Sequence, residues 1–191
     1  PDGRIGVKLH GFMPENGADR HEKTDRVPYT AWAQGGYCTL TPGDVTDNSY
    51  VYNWICEGER EHGWEVEEVD YDGRNATDLA IRMNEDRNRE DFCVEVSQTC
   101  AGQNLAVKTF RELLLQDRVV IEESPLVLWC LQNAIEIQDN YGNIKLSKRH
   151  KDDTERIDPV AAMMNALARV LVKRTAGSDI NEHILSEDWG I

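Results

Sequence analysis

The chain has 191 residues, a formal net charge of −14 and 40% hydrophobic residues. That is the length of one domain, able to remove roughly 70% of its unfolded surface from water. No apolar run nears the ~20 residues of a membrane span, and no secretory leader pattern opens the sequence. The five cysteines (Cys38, Cys56, Cys93, Cys100, Cys130) are odd in number and never spaced C-x-x-C. Free thiols in a reducing compartment are expected, without structural zinc or disulfides.

Taken in chain order, "GRIGVKLHGF" alternates and predicts a strand ending near Pro14. "ENGADRHEKTDR" reads as a polar loop. A short strand is expected around Tyr37–Leu40, then a helix capped by Asp44 or Thr46 and ending near His62 and Gly63. "WEVEEVDYDG", "NATDLAIRMNED" and "FCVEVSQT" read as strand, helix and strand, the spacing of a parallel βαβ unit. "NLAVKTFRELLLQ" is a strong helix, with Leu105, Phe110, Leu113 and Leu114 available for the core. "DRVVIEE" suggests a short edge strand.

Ser124 and Pro125 suit the cap and first position of the helix "SPLVLWCLQNA". "AIEIQDNYGNIKLSK" reads as a hairpin around a Gly-containing turn. The last strong helix is expected over Pro159–Arg174, with Asp158 favoured as its N-cap. Trp32, Trp54, Trp64 and Trp129 sit at apolar positions and are expected to pack rather than stack on bases. The order of elements predicts an α/β domain, a mixed β-sheet flanked by helices with a small β-hairpin insertion. Residues 1–174 form the domain, and 175–191 an acidic C-terminal tail.

The charge is uneven. Residues 145–174 hold eight Lys/Arg against four Asp/Glu, a balance of +4, which leaves −18 for the remainder of the chain. Nucleic-acid binding needs Lys and Arg, so the whole-chain charge opposes such a partner while this stretch admits one. No phosphate-binding G-x-x-x-x-G-K-[ST], no Gly-rich dinucleotide fingerprint and no G-x-S-x-G is present. An ATPase, a Rossmann enzyme and a serine hydrolase therefore find no support in the motifs.

Two carboxylates stand out. Asp72 follows the best strand pattern, at the end where open α/β sheets place ligands. Asp158 opens the last helix inside the basic stretch. Acids at a strand end and a helix start are a common way to hold hard divalent cations. Each also has an ordinary role, Asp72 as a turn residue and Asp158 as a cap. Asp70 alternates to the opposite face and is a weaker candidate. Asp153 and Glu155, near Asp158, read as solvated loop acids.

The succession "FMPE…DRVPYTAW…GGYCTLTPGDV", "VEEVDYD", "VEVSQT", "SPLVLWCLQNA…DNYGNIKLSK" and "RIDPVAAMMNALA" resembles the nuclease domain of the large terminase subunit of tailed bacteriophages, in order and over nearly the whole chain. The resemblance implies an RNase H-like endonuclease that cuts concatemeric double-stranded viral DNA during packaging, in the host cytoplasm. It implies two divalent cations, Mg²⁺ or Mn²⁺, with Asp72 and Asp158 as metal-binding and catalytic residues. Lys145, Lys148 and Arg149 fall on a basic loop facing DNA. The implied partners are the terminase ATPase domain, the small subunit and the portal or procapsid, the acidic tail being a candidate portal-docking segment. Family members carry a further aspartate on a strand upstream of the "FMPE" region, so the fold is expected to be completed by a strand from elsewhere. Two other readings are a resolvase-type RNase H-like nuclease, against which "VPYTAW" and "LTPGDV" speak, and a non-catalytic acidic protein-interaction module.

Overall fold

A computed structural model describes residues 4–74, 76–149 and 154–176. Asp153 and residues 177–191, most of the acidic tail, lie outside the described residues. The element order is β1 (Ile5–Val7), β2 (Gly11–Pro14), α1 (Ala18–Asp25), α2 (Tyr29–Gln34), β3 (Cys38–Thr41), α3 (Asn48–His62), β4 (Val69–Tyr71) and α4 (Thr77–Arg87). It continues with β5 (Cys93–Glu95), α5 (Cys100–Leu115), β6 (Val119–Ile121), α6 (Pro125–Asn133), β7 (Ala134–Gln138), β8 (Ile144–Lys148) and α7 (Asp158–Ala176). The α/β class expected from the sequence is what forms.

The single mixed sheet is not what the described residues form. They make four two-stranded ladders: parallel β1–β6, β2–β3 and β4–β5, and antiparallel β7–β8. The alternating "GRIGVKLHGF" breaks at Lys8–His10, and its two halves take different partners: Ile5–Val7 lies beside Val119–Ile121, and Gly11–Pro14 beside Cys38–Thr41. The βαβ unit β4–α4–β5 is present, with Val69 opposite Cys93 and Tyr71 opposite Glu95. The hairpin is present too, with Ala134 opposite Lys148.

Residues expected in a polar loop form α1 instead. Its buried positions are only Ala18 and Asp25, too few for an apolar period to be seen. α5 also buries a face other than the expected leucines: Leu105 and Leu114 are about half exposed. The inward positions are Gln103, Ala106, Val107 and Phe110, spaced at i, i+3, i+4 and i+7. Ala106 and Val107 share the main core with Val160, Met163, Met164 and Leu167 of α7. Small residues there let the two helices approach closely, so the larger leucines are left outside. Thr99, Asp47 and Ser124 cap α5, α3 and α6 through side-chain oxygens.

A second cluster joins Met83 and Phe92 with Ile55, Val66 and Leu79. Trp64 packs over α3, edge-on to Trp54 with ring centroids 5.1 Å apart. Gly58 makes this possible, because a Cβ there would stand 1.9 Å from the Trp64 ring. Gly58→Ala is therefore expected to destabilise the fold by about 1–3 kcal/mol despite Ala's better helix propensity. Urea denaturation checks this; an unchanged or higher midpoint would show that the ring yields freely.

β4 is fastened to α7 by a partly buried ion cluster. Arg169 donates to both Glu68 carboxylate oxygens, at 3.0 and 3.3 Å, and Lys173 lies 3.0 Å from the second. Asp70 lies behind this pair, its Oδ1 buried without a hydrogen bond and 3.8 Å from Arg169. Burial, then the hydrogen bond and charge of Glu68, push the Asp70 carboxyl up to about 7. Burial acts the same way on Glu68 but is outweighed by Arg169 and Lys173, which hold it at about 2. The folded chain thus keeps the Asp70 proton where the unfolded chain has lost it, and this site's contribution to stability declines as pH rises between 3.8 and about 7. Asp70→Asn should flatten that decline in melts taken across the interval; an identical pH slope in the variant would contradict it.

Candidate functional site

Asp72 directly follows β4, at the carboxyl end of the parallel β4–β5 pair. Its Oδ1 accepts the Arg74 backbone N–H at 3.2 Å, the local bond its turn role predicts. The side chain lines a cavity of about 630 Å³ with Arg74, Gln98, Gln103, Lys145, Lys148, Ile157 and the α7 residues Ala161 and Met164. The floor is an amide network: Gln98 and Gln103 each donate to Asn165 Oδ1 at 3.0 Å. Lys145 donates to the Gln98 carbonyl at 3.0 Å, pinning the hairpin to the segment after β5.

Asp158 is not the N-cap the sequence favours. The Ile157 carbonyl accepts the Ala161 N–H at 2.9 Å, so Ile157 takes the capping position and Asp158 opens the helix itself. Its carboxylate accepts no hydrogen bond among the described residues, and it is exposed. It lines a different cavity, of about 430 Å³, with His10, Phe12, His21, Trp129 and Arg156. Burial, then the charge of Asp158, push the Cys130 thiol in that cavity up to about 12.

A buried group the sequence reading passed over holds this end of α7. Asp25, its side chain fully enclosed, accepts from Tyr29 Oη at 2.8 Å and from Arg156 Nε at 3.1 Å. Arg156 Nη2 also meets His21 Nδ1 at 3.2 Å. The only sequence signal was "DRVPYTAW", where Asp25 looks like one more loop acid. Glu95 was likewise missed. It approaches the Asp72 turn so closely that a Cβ on Gly73 would fall 2.4 Å from its carboxyl carbon. Of the three basic residues assigned to DNA, Lys145 and Lys148 share the Asp72 cavity, whereas Arg149 donates to the Gln132 carbonyl at 2.9 Å.

The two carboxylates thus flank the first turns of α7, each in its own cavity. The ion cluster sets their spacing. Lys173 meets Glu68, and Arg169 meets Glu68 and Asp70, so α7 runs antiparallel to β4. At ~3.3 Å per strand residue and ~1.5 Å per helix residue, Asp72 comes level with about Asn165, and Asp158 lies roughly 10 Å farther along. That is too far for the two carboxylates to share one ion. In donor type, free carboxylate oxygens suit Mg²⁺ or Mn²⁺. Among the described residues, no three His, Cys, Asp or Glu form a group able to hold a metal.

The family model "Terminase large subunit, endonuclease domain" matches residues 1–174. The chain belongs to that family. It is 30% identical over 170 residues to the large terminase subunit of Enterobacteria phage HK97, covering 85% of this chain and 31% of that protein. The crystal structure of the HK97 bacteriophage large terminase superposes with a TM-score of 0.71 at 29% identity, over 83% of this chain and 32% of that one. The chain therefore spans about a third of the length of these relatives. Within this terminase nuclease family, the matched residues run through Asp72, Asp158 and the basic hairpin alike. No helix of the described residues is long and apolar enough to cross a membrane.

Proposed function

We propose that the chain is an RNase H-like endonuclease domain that cuts concatemeric double-stranded viral DNA during genome packaging, by divalent-metal-dependent phosphodiester hydrolysis. The observation that carries the reading is the place of Asp72, at the carboxyl end of a parallel strand pair and in a cavity otherwise charged only by Arg74, Lys145 and Lys148. Asp72 and Asp158 are the proposed metal ligands, one toward each cavity. Bound Mg²⁺ or Mn²⁺ would supply an activated water and stabilise the leaving oxygen. The residues around them hold the ligands in place: the Glu68–Arg169 cluster anchors β4, and the Asp25–Arg156 pair anchors the entry to α7. Lys145, Lys148 and Arg149 are the proposed DNA contacts. The ATPase domain, the small subunit and the portal or procapsid are the proposed partners, in the host bacterial cytoplasm.

The test is nicking of supercoiled plasmid in Mg²⁺ or Mn²⁺, with calorimetric titration of Mn²⁺ into the same protein. Asp72→Asn and Asp158→Asn should each abolish nicking and weaken Mn²⁺ binding. Neither side chain is buried, so both variants should keep their stability to within about 0.5 kcal/mol. Nicking that survives either substitution, or that proceeds in chelator, would reject the assignment. The separate cavities and the net charge of −14 favour one second reading, an acidic protein-interaction module. Wild-type protein that neither binds Mn²⁺ nor cuts DNA would support it.

A further inference from the structure

Four charged residues line the Asp72 cavity, Arg74, Lys145 and Lys148 against Asp72, and the Glu95 carboxylate lies against Gly73 in the same turn. The lining residues sum to +2, or +1 with Glu95, in a chain of −14. A cleft that gathers one sign of charge inside a body of the other sign concentrates counter-ions of that other sign's kind, here anions. The three cations are not equivalent. Lys145 is committed to the Gln98 carbonyl at 3.0 Å. The Arg74 guanidinium and the Lys148 amine have no hydrogen-bond or carboxylate partner among the described residues, a state shared by cations outside the cavity such as Arg20, Lys23, Arg26 and Lys108. They come from different elements, Arg74 from the turn after β4 and Lys148 from the last position of β8.

Arg74 is also held at its backbone. The Asp72 carboxylate accepts its N–H, and Thr77 Oγ1 closes the same turn by donating to the Gly73 carbonyl at 3.1 Å. A planar guanidinium on a fixed turn is the better donor for paired phosphate oxygens, and a lysine acts as a point charge.

We infer that Arg74 and Lys148 together clamp one backbone phosphate of the DNA strand in the Asp72 cavity, with Lys145 tying the hairpin to the segment after β5. Arg74 is a substrate-contacting residue that neither its motif nor its charge context singled out. The inference deepens the proposed nuclease reading and rests on it. It places the incoming phosphate on the Asp72 side of α7 rather than in the more apolar Asp158 cavity.

The experiment measures anisotropy of a labelled duplex oligonucleotide bound to the full chain in chelator, so that nothing is cut, across a salt series. Each phosphate neutralised adds about 0.9 to the slope of log affinity against log salt. Arg74→Gln and Lys148→Gln should each weaken binding, and the double variant should lower the slope by about one, because a single phosphate is shared. Lys8→Gln, which removes a cation paired with Glu122 at 2.8 Å outside the cavity, should leave the slope as it is. A double variant with the wild-type slope, or a wild-type chain with no salt-dependent binding, overturns the clamp. A drop of about two also overturns it, since two phosphates would then be held separately. Plasmid nicking by the wild type reports on the nuclease reading independently of all these outcomes.

Discussion

The Glu68–Asp70–Arg169–Lys173 cluster is the constraint on which the rest of the molecule turns. β4 is three residues long and pairs with one neighbour among the described residues, so its ladder alone could not fix its direction against the helices. A bidentate guanidinium on one carboxylate, with a lysine on the same group, does so. The arrangement carries a cost. Asp70 is buried behind the pair with an unsatisfied oxygen, and it remains tolerable by retaining its proton to about pH 7. Because the cluster makes α7 antiparallel to β4, it decides that the carboxylate after β4 and the carboxylate opening α7 lie toward the same end.

Apolar packing does what the short ladders cannot. Ala106 and Val160 are completely enclosed at the seam between α5 and α7, and Met164 nearly so. A seam built on small residues brings two helices close enough for Gln103, on α5, to reach Asn165, on α7. That hydrogen bond and the one from Gln98 form the floor beneath Asp72. The α5–α7 contact thus serves as core and as foundation for the polar cavity. The Asp25–Tyr29–Arg156 group plays the matching part at the other end of α7, where a fully buried acid restrains the loop entering the helix.

Under the proposed function, an acidic domain would have to address an acidic polymer. The net charge of −14 would repel DNA if it were spread evenly. The carboxylates of the larger ion pairs, such as Glu68, Glu59 and Glu136, already face arginines. Arg74 and Lys148, two of the cations without a partner among the described residues, line the same cavity as Asp72. At that place, repulsion between DNA and the bulk of the chain would be offset locally, and a divalent cation would offset it further.

The sequence by itself determined the α/β class, the βαβ unit, the hairpin, the caps at Ser124 and the strand end that carries Asp72. These follow from periodicity and local backbone chemistry, which act over a few residues. It also carried the ordered motifs of a terminase nuclease. Only the tertiary structure decided that α5 buries Ala106 rather than Leu105 and that a polar stretch coils into α1. It likewise decided that Ile157, not Asp158, takes the capping position. Those outcomes depend on helix approach and on partners more than 100 residues away, as Arg156 is from Asp25. Whether Asp72 and Asp158 stand in one cavity or two was equally invisible along the chain, because it is set by which face of α7 meets which neighbour, and no local pattern records that.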